Sequence, residues 1–158
     1  MATAPTAALA PGQPAPTAAA PAAAPAAPAT APTATAEPAS TGDPLTDQMN
    51  AVKAQQAADR APTSALVKLT LAKGEKQSYQ VQLPGPPFCH TYAAVGADTV
   101  KNLDIAIASP TGTAEAQDDT EEATAVIANH CPTVAGPYTL TVTSTKGKGE
   151  IAVQVFSK

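Results

Sequence analysis

Two dipeptides of opposite order, Cys89-His90 and His130-Cys131, are the residues of this chain best suited to chemistry. Two thiols and two imidazoles make up a common ligand set for tetrahedral zinc. Neighbouring residues on a strand point to opposite faces of a sheet, so a cysteine and the adjacent histidine do not converge easily on one ion. We therefore favour a Cys89–Cys131 disulfide flanked by two histidines near the surface, with free buried thiols as the alternative.

The positions of the cysteines support a disulfide, because each lies where a predicted strand meets a proline-containing loop. The link would close a loop of about 43 residues, which contributes about 4 kcal/mol in the chain-entropy model. That is a large fraction of the free energy of unfolding of a small domain.

A run of carboxylates forms a second set of candidate ligands. Clustered carboxylates are suitable for calcium, but this run has neither the regular ligand spacing nor the glycine of an EF-hand loop. A solvated acidic loop is the main interpretation, and a calcium site is the alternative. The residues are Glu115, Asp118, Asp119, Glu121 and Glu122.

The remaining polar residues give no catalytic signature. The serines and the two histidines show no nucleophile–base spacing, so we expect no catalytic residues and no enzyme activity. Among the aromatic residues, Tyr79 and Tyr138 stand in apolar register and are predicted to be core. Phe88 and Tyr92, beside the proline loop, are the candidates for an exposed pair.

The N-terminal segment has a different composition from the rest. Its first forty residues contain nineteen Ala, nine Pro and one charged residue, which predicts a disordered, extended tether over residues 1–42. Its residues do not have the basic start and the unbroken apolar run that are typical of a signal peptide. A run of about eighteen apolar residues, as a membrane-spanning helix needs, is likewise not found in the sequence. We interpret the chain as an exported bacterial protein that is periplasmic, cell-surface or secreted, with any membrane attachment through a removed N-terminal lipid anchor. A cytosolic protein is the alternative.

A short helix is predicted after the tether, within residues 43–61. Asp43 is suited to the N-cap and Pro44 to the first helical position. The apolar stripe that follows is narrow, with Leu45, Met49 and Val52 at helical spacing. We expect the helix to end near Arg60 and to be frayed, although light docking on the domain is the alternative.

From residue 64 to residue 158 the pattern has period two. About eight short strands with turn signals between them predict an all-β, antiparallel β-sandwich. The alternation predicts that each sheet has one buried and one wet face. Seven Lys and nine Asp or Glu over this range leave no field that would attract nucleic acid.

Four features in order resemble the bacterial pre-peptidase C-terminal domain family over residues 73–156. They are Tyr79–Leu83, Asn102–Ile107, the Ser109-Pro110-Thr111-Gly112 turn and Ala135–Val142. The resemblance implies a jelly-roll-like sandwich that serves exported proteins as a non-catalytic accessory module. The acidic residues with which some relatives bind calcium have no clear counterpart in Ala61–Leu71.

These patterns lead to one main hypothesis: a non-catalytic, exported and envelope-tethered module for binding or scaffolding. Its ligand would be a protein or a cell-surface polysaccharide, and it would be a monomer unless part of an assembly. The alternative is a structural subunit whose extended N-terminal arm contacts its neighbours. The candidate wet surfaces are the rows Thr139, Thr141, Thr143 and Ser78, Gln80, Gln82.

Overall fold

A computed structural model describes residues 42–158, so the predicted Ala/Pro tether lies outside the described residues except for Gly42. This part of the chain forms two antiparallel sheets and one helix, which confirms the predicted all-β sandwich. The eight predicted strands are present, and a two-residue strand precedes them. The elements are α1 Pro44–Gln56, β1 Ala61–Pro62, β2 Val67–Leu71, β3 Lys76–Leu83, β4 His90–Gly96, β5 Val100–Ala108, β6 Ala114–Asp118, β7 Thr124–His130, β8 Gly136–Gly147 and β9 Gly149–Ser157.

The connectivity of the sheets is that of a jelly roll. In sheet A, β1 and β2 both pair with β9, which is followed by β4 and β7; sheet B has the order β3-β8-β5-β6. From β2 onwards, every connection except β5–β6 crosses from one sheet to the other. Strands that are neighbours in sequence are therefore mostly partners across the core rather than within a sheet.

The main core lies between the two sheets and follows the period-two pattern. Alternate residues of each long strand face inwards, which leaves the intervening positions on the outer faces. The largest of these inward side chains are Leu71, Tyr92, Leu103, Ile105, Ile107, Tyr138, Leu140 and Ile151.

The helix packs on the outer face of sheet A, so the expectation that it is frayed was wrong. Leu45 and Met49 are buried in a second apolar cluster, which sheet A completes with Ala93, Val95, Ala152 and Phe156. These outward residues of β4 and β9 are apolar, so their burial is favourable. The three-residue apolar stripe of α1 packs against them and removes them from water. The expected wet outer face was therefore wrong for the centre of sheet A.

The ends of the helix follow local chemistry. Asp43 is the N-cap, as predicted: its carboxylate accepts hydrogen bonds from the Leu45 N–H at 3.3 Å and the Thr46 hydroxyl at 2.7 Å. The helix ends at Gln56, earlier than the predicted end near Arg60. No helix within residues 42–158 is long and apolar enough to cross a membrane.

Candidate functional site

A disulfide joins Cys89 and Cys131, as the sequence predicts, and marks one end of the sandwich. Cys89 immediately precedes β4 and Cys131 immediately follows β7, two strands that pair in sheet A. The bond thereby ties together the loops of residues 84–89 and 131–135, which we call the disulfide-end loops.

The disulfide-end loops also pack backbone against backbone. A Cβ at Gly85 would lie 3.0 Å from the amide nitrogen of Ala135 and 3.4 Å from the carbonyl carbon of Val134. Glycine is therefore the residue that permits this close approach. Covalent and van der Waals contacts together fix the two loops as one surface.

This surface exposes two large apolar side chains. Phe88 is 46% and Val134 52% exposed, and Val67 at 37% is the third such residue in the described part of the chain. Of the aromatic pair predicted to be exposed, Phe88 is at the surface but Tyr92 is fully buried. Tyr92 is buried because its side chain points inwards from β4 into the core between the sheets.

Arg60 supports the loop that carries Phe88. Its guanidinium donates to the Cys89 carbonyl at 2.6 Å and to the Asn129 side-chain oxygen at 2.6 Å. Beside it, Lys158 pairs with Asp59, and this contact lowers the pKa of the Asp59 carboxyl. These residues and Phe88 line an open cavity of about 490 Å³.

A network of polar side chains lies under the disulfide-end loops and joins the two sheets. The Glu115 carboxylate of sheet B is 2.8 Å from Nε2 of His130, and Nδ1 of His130 is 3.1 Å from the Tyr92 hydroxyl of sheet A. If Nε2 carries the proton and donates it to the carboxylate, Nδ1 is free to accept from Tyr92. The Tyr138 hydroxyl donates to the Val134 carbonyl at 3.2 Å, which connects this region to the surface loop.

The prediction that both histidines lie near the surface was wrong for His90, whereas His130 is partly buried beside the exposed Glu115. His90 is only 1% exposed, and the side chain of His130 is 8% exposed. His90 shares the inward face of β4 with Tyr92, and no hydrogen-bond partner reaches either ring nitrogen. Burial lowers the pKa of His90, and the nearby His130 and Arg60 lower it further, against a weaker opposing effect of the Pro84 backbone.

The network is suited to holding the two sheets together, because its hydrogen bonds connect Tyr92 and His130 of sheet A to Glu115 of sheet B. Both phenols are fully buried, and burial raises the pKa of Tyr92 and of Tyr138. The imidazole of His130 has a partner at each nitrogen. The two phenols and the imidazole therefore have partners within the network, whereas its carboxylate, Glu115, belongs to an exposed residue.

Three of the five predicted calcium ligands take part in separate side-chain interactions. Glu115 binds His130, Asp118 accepts from the Val126 N–H at 2.5 Å, and Glu121 pairs with Lys146 at 3.0 Å. The other two, Asp119 and Glu122, lie in the turn between β6 and β7. Within residues 42–158, no three His, Cys, Asp or Glu side chains are placed to hold one metal ion, and calcium binding stays a prediction.

Sequence reasoning missed Val134 and Arg60. Val134 carries a signal that could have been used, since it is an apolar residue in an uncharged loop beside a cysteine. Arg60 carries none, because its two partners, Cys89 and Asn129, are distant in sequence and reached only through the fold.

Comparisons with known proteins do not name a family. No family model matches the chain, and no curated protein matches it. Among solved structures, the crystal structure of Aeromonas hydrophila PliG, a periplasmic lysozyme inhibitor of g-type lysozyme, is similar to 60% of this chain and 85% of its own, with 14% identity and a TM-score of 0.40. That similarity establishes no shared function, and the resemblance to the pre-peptidase C-terminal family stays a prediction.

Proposed function

We propose that this protein is an exported, non-catalytic module that binds a protein partner through the disulfide-end loops. The observation that carries the proposal is the exposure of Phe88 and Val134 on two loops that the Cys89–Cys131 bond holds together. Exposed apolar side chains grouped on one surface are typical of interaction sites. The disulfide supports export, because such bonds persist in oxidising compartments.

The composition of the disulfide-end loops favours a protein as the ligand. Neither loop contains a charged residue, and together they contain four prolines: Pro84, Pro86, Pro87 and Pro132. A surface already rigid before binding loses little conformational entropy on association. An aromatic and an aliphatic anchor fit an apolar pocket on another protein, whereas a polysaccharide site would offer several exposed aromatic rings.

The strand order supports a further part of this proposal, kinship with the pre-peptidase C-terminal domain family. The resemblance implies a jelly-roll-like accessory module for exported proteins, and the order of sheets A and B has that connectivity. A binding role without catalysis is consistent with such a module.

A capture experiment with the full chain tests the proposal. The double variant Phe88→Ser, Val134→Ser removes both anchors, and Val67→Ser removes an exposed apolar residue of β2 as the matched control. We expect the parent and the control to recover the same protein from envelope extracts, with at least about tenfold weaker binding by the double variant, or about 1.4 kcal/mol. Equal recovery by all three, or none above an N-terminal-segment control, contradicts the proposal.

A further inference from the structure

Strand β3 is an open edge of sheet B. Its eight residues, Lys76–Leu83, pair along one side with β8, and no strand within residues 42–158 pairs with the other side. Half of the backbone N–H and C=O groups of an edge strand point away from its sheet. Such a row of groups is a template for a strand from another chain.

The edge of β3 lacks the features that usually prevent such pairing. From Gln77 to Leu83 there is no charged residue and no proline, and the register with β8 is continuous, without a bulge. The β7 edge of sheet A differs, because the Asp118 carboxylate already accepts a hydrogen bond from the Val126 N–H. Charges, prolines and bulges are the common protection of edges, and β3 has none over these seven residues.

The side chains of β3 would also gain from a neighbouring strand. Tyr79 and Val81 point towards the core but are only partly buried, so an added strand would cover apolar area that water now contacts. On the other face, Ser78 and Gln80 are exposed, neutral and already hydrogen-bonded to β8, at 2.9 Å to Thr141 and 3.0 Å to Thr139.

We propose that β3 pairs antiparallel with β3 of a second copy of this chain, so that two B sheets join into one sheet of eight strands. Charge favours this occupant. The one charged residue of β3, Lys76, is its first residue, and an antiparallel pair puts the two lysines at opposite ends, about 20 to 27 Å apart at 3.4 Å per residue. An uncharged edge has no preference for a foreign basic or acidic strand.

The two-fold axis restricts the register. When the axis is perpendicular to the joined sheet, the outer faces of both copies lie on the same side, and outward residues oppose outward residues. The two central registers place Gln80 opposite the partner's Gln80 or the partner's Ser78. In both, the two Gln80 side chains lie within about 8 Å of each other.

The predicted association is weak. A contact made by one eight-residue strand is smaller than the roughly 1,000 Å² expected of a stable interface. A monomer–dimer equilibrium at high protein concentration follows, and one pair of charges at its centre is enough to shift it.

Charged substitutions at position 80 of the full chain test the proposal. Gln80→Lys and Gln80→Glu each place like charges across the axis, whereas Gln117→Lys puts the same charge on β6, at the far edge of sheet B, as the control. Light scattering from about 10 µM to about 1 mM in low salt gives the dissociation constant. We expect dimers of the parent and the control, at least about tenfold weaker dimers of each Gln80 variant, and tighter heterodimers in their equal mixture.

Several outcomes overturn the proposal. One is a parent that stays monomeric throughout, which leaves the edge for a strand of a different protein. A dimer insensitive to position 80, or a mixture that associates no better than the separate variants, would also refute the pairing. Thermal unfolding confirms that the variants fold, and Ser78→Lys with Ser78→Glu replaces them if they do not. Hydrogen exchange of β3 amides in the parent should slow as the protein concentration rises. If the protein dimerises and this exchange does not change, the dimer does not form through β3.

Discussion

Sheets A and B differ in what covers their outer faces. All seven residues of β4 in sheet A are buried, because α1 covers the side that faces away from sheet B. In sheet B, buried positions of β8 alternate with partly exposed ones, and threonines on its outer face bond to polar side chains of β3. A strand covered on both faces therefore loses the alternation that a half-wet strand keeps.

The difference shows how much each sheet depends on other elements. Sheet A needs both the inner core and the helix, and the disulfide links two of its strands. Sheet B has a polar, partly exposed outer face, so it does not need the cover that α1 gives to sheet A. Substitutions outside the main core should accordingly be costly in sheet A and nearly neutral in sheet B.

Loss of the disulfide is expected to have the largest effect. The double variant Cys89→Ser, Cys131→Ser should lose about 4 kcal/mol of the free energy of unfolding, because the unfolded chain regains the entropy of an open loop. Urea unfolding followed by circular dichroism is suitable, since the chain has no tryptophan. Reduced parent protein is the control and should match the variant. A loss below about 1 kcal/mol would mean that sheet A does not depend on this bond.

The helix contact gives the next effect. Met49→Ala leaves a cavity between α1 and sheet A and should cost about 3 kcal/mol. Thr141→Ala on the outer face of sheet B is the matched substitution and should change stability by less than about 0.5 kcal/mol. The same urea titration measures both. Equal values for the two variants would remove the contrast between the sheets.

Acid should weaken the disulfide end through His90. Its folded-state pKa is lowered by burial. Below the unfolded pKa of about 6.5 the unfolded chain therefore binds more protons than the folded one, and the free energy of unfolding decreases as the pH decreases. One proton gives a slope of at most about 1.4 kcal/mol per pH unit. His90→Leu should have a smaller slope between pH 7 and pH 5 in urea unfolding. An unchanged slope would assign the acid response to groups other than His90.

The smallest effect concerns the helix N-cap. Asp43→Ala should cost about 1 kcal/mol, because the first turn of α1 loses its acceptor; the ion pair of Asp43 with Lys68 on β2 is lost as well. Asp43→Asn keeps the cap and should retain most of the stability, as thermal unfolding can show. If Asn behaves like Ala, the ion pair with sheet A contributes more than the cap.

The sequence predicted the features that depend on neighbouring residues. The N-cap at Asp43 and the alternation in β3 and β8 are local patterns, and each is present in the structure. The site was predicted in part: the disulfide and exposed Phe88 were expected, but buried Tyr92 and buried His90 were not. Polarity suggested a surface position for His90, whereas its place two residues before Tyr92 on β4 puts both side chains inside.

The amino-acid sequence by itself determined where strands and helix begin and that two cysteines could pair, because caps, turns and periodicity act over a few residues. Only the tertiary structure decided that α1 covers sheet A, that Glu115 meets His130 between the sheets, and that β3 is left at an edge. These contacts join residues far apart in the chain, and they follow from which strands become neighbours when the inward faces pack together.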